Sequence, residues 1–165
     1  MQAANALPEQ DLAPRFREMM ADDAMEMSEL AARFFLESEF KDFATFDYDA
    51  MLRTFQHSLD SPYTHFFVFE DQGKIQGFIG YQLDASYTVE PIGLMYLFYV
   101  VPEYRPTPAG RELLNIAENH AKAVGCVAFY GGSMSGIPAV QKTLPNLFRK
   151  RGYQDLYWGK KMLKE

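Results

Sequence analysis

Cysteine is nearly absent from this sequence, because Cys126 is the only one among 165 residues. A single cysteine cannot close an intramolecular disulfide, and Cys126 and the three histidines do not have the spacing of a zinc site. The fold must therefore be held by its apolar core. A reducing compartment such as the cytoplasm is the expected location.

Basic charge and long apolar runs are also scarce. The 16 Lys and Arg residues are outnumbered by 22 Asp and Glu residues, so the net charge is −6. Such a chain offers no overall positive field to a nucleic acid or an anionic membrane, and a neutral or cationic partner is favoured. No basic stretch followed by an apolar run opens the chain, and no segment approaches the ~18 apolar residues of a membrane span. We therefore expect neither secretion nor membrane insertion.

Apolar residues, in contrast, are plentiful. The chain is 48% hydrophobic, 15% aromatic and 23% charged, which is too apolar for a disordered protein. Its length matches a single domain of roughly 150 residues. Residues 1–14 are small or polar and contain two prolines. We predict a flexible arm there, followed by one domain over residues 15–165.

The spacing of the apolar residues predicts helices alternating with strands. Asp22 or Asp23 can cap a first helix and Asp47 a second, whereas Gly125 can end a third. The predicted helices cover residues 24–37, the segment after Asp47, and residues 109–124. The predicted strands cover residues 15–19, 65–69, 75–83, 92–101, 126–130 and 156–163. A segment over residues 137–151 is expected to be broken at Pro145.

The most informative unit is a strand, a tight loop and a helix in succession. Residues 92–101 are apolar on both faces, as in a strand at the centre of a covered sheet. The loop that follows is rich in proline and leads into the helix at residue 109. Free amides at a helix N-terminus can bind a pyrophosphate, and Gly110, Arg105 and Arg111 favour that use. An ordinary strand-to-helix connection explains the same residues equally well.

The chain resembles the GNAT family of acetyl-CoA-dependent N-acetyltransferases over most of its length. The order of its predicted elements matches that fold, and residues 99–105 are similar to its fourth strand running into its pyrophosphate loop. The family motif Gln/Arg-x-x-Gly-x-Gly/Ala is matched by Arg105 and Gly110, whereas Pro108 replaces the middle glycine. Residues 147–153, Leu-Phe-Arg-Lys-Arg-Gly-Tyr, are similar to the family's Leu-Tyr-x-x-x-Gly-Phe.

This resemblance implies an α/β fold in which a mixed, mostly antiparallel, twisted sheet is flanked by helices and opens at its central strand to admit acetyl-CoA. Backbone groups in the fourth strand, where the family commonly has a bulge, would hold the pantetheine arm. The loop would hold the pyrophosphate, and no metal is required. The implied cofactor-binding residues are Phe98, Tyr99, Val100, Arg105, Thr107, Ala109, Gly110 and Arg111.

The resemblance also implies direct attack of an amine on the thioester carbonyl, so Cys126 is not needed as a nucleophile. Phe148 stands where the family has a tyrosine whose hydroxyl protonates the departing thiolate, and a phenyl ring has no proton to give. The amine must lose a proton, and Glu90 is the candidate base that we place in the site. Tyr99 can order a water there, although core packing explains it too. Asp84 and Glu103 are weaker candidate bases.

Two functions remain open at this stage. The chain can be an N-acetyltransferase acting on a primary amine of a small molecule, a protein lysine or a protein N-terminus. Alternatively, Pro108 and Phe148 can mark a binding module that has lost catalysis and serves a protein partner. Acidic residues between the first two helices, Glu37, Glu39 and Asp42, can attract an amine or simply face solvent. The aromatic last strand is a possible homodimer surface.

Overall fold

The computed structural model describes residues 13–132 and 135–155. The strands and helices follow in this order: β1 (Arg15–Glu18), α1 (Ala24–Glu37), α2 (Tyr48–Ser58), β2 (Thr64–Asp71), β3 (Lys74–Asp84), β4 (Ile92–Val100), α3 (Ala109–Ala123), β5 (Ala128–Tyr130) and α4 (Pro138–Lys150). Short 3₁₀ turns lie at Ala21–Asp23, Glu39–Asp42 and Pro102–Tyr104. Most of the predicted arm and the predicted strand 156–163 lie outside the described residues.

The strands form one mixed sheet in the order β1-β2-β3-β4-β5. The first four strands pair antiparallel, whereas β5 runs parallel to β4. The pairing of β4 with β3 skips one residue, because Gly80 faces Leu97 and Tyr81 faces Met95. Tyr96 is therefore the extra residue of a bulge, two positions before the segment 98–100 where we expected it.

Helices cover the two faces of the sheet. On β2, Phe66 and Val68 point into one core with α1 and α2, whereas Phe67 and Phe69 point into the other with α3. This alternation follows from the two-residue period of a strand, and it explains why β2 is apolar throughout. No helix within the described ranges is long and apolar enough to cross a bilayer.

Local signals set several element ends as predicted. Asp47 caps α2 by accepting a hydrogen bond from the Ala50 N–H at 2.8 Å, and Gly125 follows α3 with φ of +94°. Asp23 precedes α1 but does not cap it, since its carboxylate accepts from the Met20 N–H and from Arg17 instead.

Two predicted element boundaries are wrong. Helix α4 continues through Pro145, which costs one backbone hydrogen bond, because its neighbour Leu144 is buried and holds the helix against the domain. The last described strand begins at Ala128, which leaves Cys126 half-buried before it. Strand β4 was expected at the centre of the sheet, but it is the fourth of the five described strands and β3 is the central one. Tyr96 of β4 is 38% exposed, so the two faces of this strand are not both buried throughout.

A charged network ties β1 to β2 and to the start of α1. Arg17 donates to Asp23 at 2.6 and 2.9 Å and to Glu70 at 2.7 and 3.1 Å, and Arg15 also pairs with Glu70. Burial alone would raise the pKa of Asp23, but hydrogen bonds from Arg17 and the Met20 N–H lower it on balance. Hydrogen bonds from Arg15 and Arg17 lower the pKa of Glu70. Both carboxyl groups therefore stabilise the fold above their ordinary pKa, and this contribution is lost as the pH falls through the lowered values.

We expect Arg17→Met to lower the free energy of unfolding by about 2 kcal/mol at pH 7, because the nearly buried Asp23 loses its arginine partner and Glu70 keeps only Arg15. The difference from wild type should be smaller at about pH 3 than at pH 7, because the stabilisation declines below the ordinary pKa of the two carboxyl groups and is lost as the pH falls through their lowered values. Urea denaturation at the two pH values measures both effects. Arg53→Met, at an exposed position on α2, is the matched control, and equal losses in the two variants would contradict this account.

Candidate functional site

A cleft opens where β4 and β5 separate. Within the described residues β5 pairs only with Ile92–Leu94, so the second half of β4 has a neighbour on its β3 side alone. A cavity of about 250 Å³ lies beside this half-strand. Its walls come from β4, the first turn of α3, one face of α4 and Phe34 of α1.

The cavity brings together most of the residues that the sequence singled out for cofactor binding. Those that line it are Phe98, Tyr99, Val100, Arg105, Thr107, Gly110 and Arg111. Ala109 is buried beside them and does not line the cavity. These residues are drawn from one strand, one loop and one helix turn, which the chain places in immediate succession.

Helix α4 supplies an apolar wall that sequence reasoning missed. Val140, Thr143, Leu144 and Leu147 face the cavity at the i, i+3, i+4, i+7 spacing of one helix face. The expected break at Pro145 concealed this continuous face. The periodicity alone would have revealed it.

The N-terminus of α3 offers fewer free amides than the sequence suggested. Pro108, at the N-cap, has no N–H, the Thr107 N–H bonds to the Tyr104 carbonyl at 3.0 Å, and the Ala109 N–H bonds to the Thr107 hydroxyl at 3.2 Å. The N–H groups of Gly110 and Arg111 fall in the first turn, where a helix provides no acceptor. They lie at the positive end of the helix dipole, beside the cavity.

Gly110 lies against β4. A β-carbon at Gly110 would stand 3.6 Å from Cζ of Phe98 and 3.9 Å from Cγ2 of Val100, both of which line the cavity. Both distances are ordinary van der Waals contacts, so alanine fits at this position, whereas a longer side chain adds atoms beside these two cavity residues. The Arg111 side chain is 57% exposed and bonds to Glu112 at 3.0 Å.

Arg105 is already engaged inside the protein. Its Nε donates to the Val100 carbonyl at 2.9 Å and its Nη2 donates to Glu37 at 2.6 Å. Its guanidinium carbon lies 5.5 Å from the centre of the Tyr99 ring, within reach of a cation–π interaction. Glu37, which the sequence suggested only as an attractor for an amine, is therefore a partner of the loop.

Tyr99 is buried on β4 and its hydroxyl donates to Glu37 at 2.5 Å. Burial, followed by the hydrogen bond to Glu37, raises the pKa of Tyr99 well above its usual value. The hydroxyl is thus a neutral donor at physiological pH. The hydroxyl donates its hydrogen bond to the Glu37 carboxylate.

The other two residues that we placed in the catalytic centre lie apart from the cleft. Glu90 is exposed in the loop before β4 and does not line the cavity. Phe148 of α4 does not line the cavity either, since its ring lies 4.7 Å from that of Tyr153, tilted by 31°, and its Cζ is 2.9 Å from the position of a β-carbon on Gly131. The structure therefore brings Tyr99 to the cleft without Glu90 or Phe148.

Known proteins share both the sequence pattern and the fold. A sequence model of the Acetyltransferase (GNAT) family matches residues 25–141. A search of curated protein sequences finds no match. Among solved structures, the aminoglycoside N-acetyltransferase AAC(6')-Iy in complex with CoA is 14% identical, with a TM-score of 0.73 over 96% of this chain and 99% of that one.

Two further solved structures extend the likeness. A predicted acetyltransferase with acetyl-CoA from Clostridium acetobutylicum is 16% identical, with a TM-score of 0.69 over 92% of this chain and 97% of that one. The ribosomal-protein-alanine N-acetyltransferase from Brucella melitensis biovar Abortus 2308 is 16% identical, with a TM-score of 0.67 over 93% of this chain and 99% of that one. At such identities these likenesses establish the fold. Because the family model matches most of the sequence, the chain belongs to the GNAT acetyltransferase family.

Proposed function

We propose that this protein transfers an acetyl group from acetyl-CoA to a primary amine. The observation that carries the proposal is the cleft along the half of β4 that has no described β5 neighbour, which ends at the N-terminus of α3. An elongated molecule with an anionic centre fits a cleft with an open strand edge on one side and free amides at one end.

The N-terminus of α3 is the proposed site for the pyrophosphate. The N–H groups of Gly110 and Arg111 can donate to phosphate oxygens, and the helix dipole favours the negative charge. Arg111 adds a cation whose only described partner is the surface residue Glu112. Pro108 removes one donor from this loop, and two free donors with an arginine still form an anion site.

The second half of β4 and the apolar face of α4 are the proposed walls around the pantetheine arm. Backbone groups of Phe98–Val100 can pair with amides of the arm in the way that a neighbouring strand would. Leu144 and Leu147 of α4 would cover its methylene groups. The resemblance to the family implies the same role for the backbone of the fourth strand, whereas the role of α4 rests on the cavity lining.

In the proposed reaction the neutral amine attacks the thioester carbonyl, so that a C–N bond forms and the C–S bond breaks. The amine gives up a proton to solvent, and the departing thiolate accepts one from solvent, because Phe148 has none to give and the Tyr99 hydroxyl already donates to Glu37. Glu90 stays a candidate base only if the loop before β4 reaches the cleft. The acceptor class we propose is a primary amine, which agrees with the acidic balance of the chain.

The first prediction concerns acetyl-CoA binding. We expect Gly110→Leu to weaken binding by at least about tenfold, because the larger side chain fills the space between the α3 terminus and Phe98. Isothermal titration calorimetry measures the dissociation constant. Ala123→Leu, at an exposed position in the last turn of α3, is the matched control and should bind like wild type. Equal binding by the two variants would contradict the proposed pyrophosphate site.

The second prediction concerns turnover. We expect wild-type protein to release free CoA thiol from acetyl-CoA only when a primary amine is added, with a rate that rises with pH as more of the amine is neutral. A thiol-reactive dye measures the released CoA, and the amines tested are a panel of aminoglycosides, polyamines and lysine peptides. Binding of acetyl-CoA without amine-dependent release across the panel would favour the binding module and contradict the enzyme.

A further inference from the structure

Arg105 occupies the family's motif position, yet two of its three guanidinium nitrogens already donate hydrogen bonds inside the protein. Its Nε and Nη2 donate to the Val100 carbonyl and to Glu37, and its flat face lies over the Tyr99 ring. The Arg105 side chain is only 23% exposed. Nη1 is the guanidinium nitrogen without a described hydrogen bond, and a phosphate that used Nη2 would compete with the ion pair to Glu37 at 2.6 Å.

Glu37 uses both oxygens of its carboxylate in the same cluster. One oxygen accepts from the Tyr99 hydroxyl at 2.5 Å and the other from Arg105 at 2.6 Å. Glu37 is the last residue of α1, Tyr99 lies on β4, and Arg105 lies in the loop that enters α3. We call these three residues the Glu37 clamp, because they join three chain segments by side-chain contacts alone.

All three segments border the cleft. Phe34, one turn before Glu37, lines the cavity and packs edge-on against Tyr99 at 5.9 Å. Among the described residues, β4 has no β5 partner at this end, so no strand ladder fixes its open edge. The position of that edge relative to α1 and α3 therefore depends on contacts such as the clamp.

We propose that Glu37 is a positioning residue for acetyl-CoA, and that Arg105 acts with it to hold the open edge of β4 rather than as a direct ligand of the pyrophosphate. The inference rests on the proposed function, since it takes the cleft to be the acetyl-CoA site. The phosphates are then left to the Gly110 and Arg111 amides and to the Arg111 side chain.

The two roles for Arg105 predict opposite effects of removing Glu37. If Arg105 is part of a clamp, Glu37→Ala frees the edge of β4 and weakens acetyl-CoA binding. If Arg105 binds the pyrophosphate directly, Glu37→Ala removes the carboxylate that competes for it, and binding stays the same or becomes tighter. The direction of the change therefore separates the two roles.

The experiment is calorimetric titration of acetyl-CoA into Glu37→Ala, Arg105→Ala and the double variant. We expect each single variant to bind roughly tenfold more weakly, and the double variant to bind no more weakly than the worse single, because both changes break one cluster. Glu37→Gln keeps an oxygen that can accept a hydrogen bond, so its affinity should lie between those of wild type and Glu37→Ala. Glu29→Ala, exposed on the same helix, removes the same charge as a control and should bind like wild type.

Wild-type affinity in Glu37→Ala, or losses that add in the double variant, would overturn the clamp and leave the proposed function standing. Absence of binding by wild type would overturn both. Thermal melting of each variant shows that the fold persists at the assay temperature. If Glu37→Ala is unfolded there, Glu37→Gln decides the matter, and unchanged affinity in that variant overturns the clamp.

Discussion

The cleft exists because β5 stops pairing with β4 partway along that strand. Strand β5 accompanies β4 from Ile92 to Leu94, and in the described part of the chain the two strands then separate. A backbone edge inside a sheet that is left without a neighbour must find hydrogen bonds from solvent, side chains or a ligand. The bulge at Tyr96 lies just beyond the last paired residue and turns the remaining half of β4. The residues that we assign to acetyl-CoA binding lie on this half of β4 or line the cavity beside it.

The surrounding packing keeps that geometry in place. Gly80 of β3 lies opposite Leu97, next to the bulge, and a β-carbon there would come within 2.2 Å of the Phe66 ring. The ring can therefore pack over the strand only because residue 80 is glycine. On the far side of the bulge, Tyr99 and Val100 are buried by the two opposite cores. The open edge is thus supported by both layers of the domain.

Much of the fold could be predicted from the sequence because its signals are local. The short apolar runs of β2 and β3, the Asp47 cap and the Gly125 stop each involve residues within a few positions of one another. The Glu37 clamp could not be predicted in this way, since Glu37 and Arg105 are 68 positions apart. The helix break expected at Pro145 was wrong for a related reason. The packing of Leu144 and the apolar face of α4 outweighs the local tendency of proline to end a helix. The family motif drew attention to Arg105, but only the three-dimensional structure reveals which partners its side chain has.

Hydrogen–deuterium exchange with and without acetyl-CoA tests the central claim most directly, because it reports on backbone amides one segment at a time. The account predicts slower exchange in residues 95–100 and 109–111 when acetyl-CoA is present, and little change in residues 92–94, which already pair with β5. Protection confined to other segments, or none at saturating acetyl-CoA, would contradict the claim that the open half of β4 is the acetyl-CoA site.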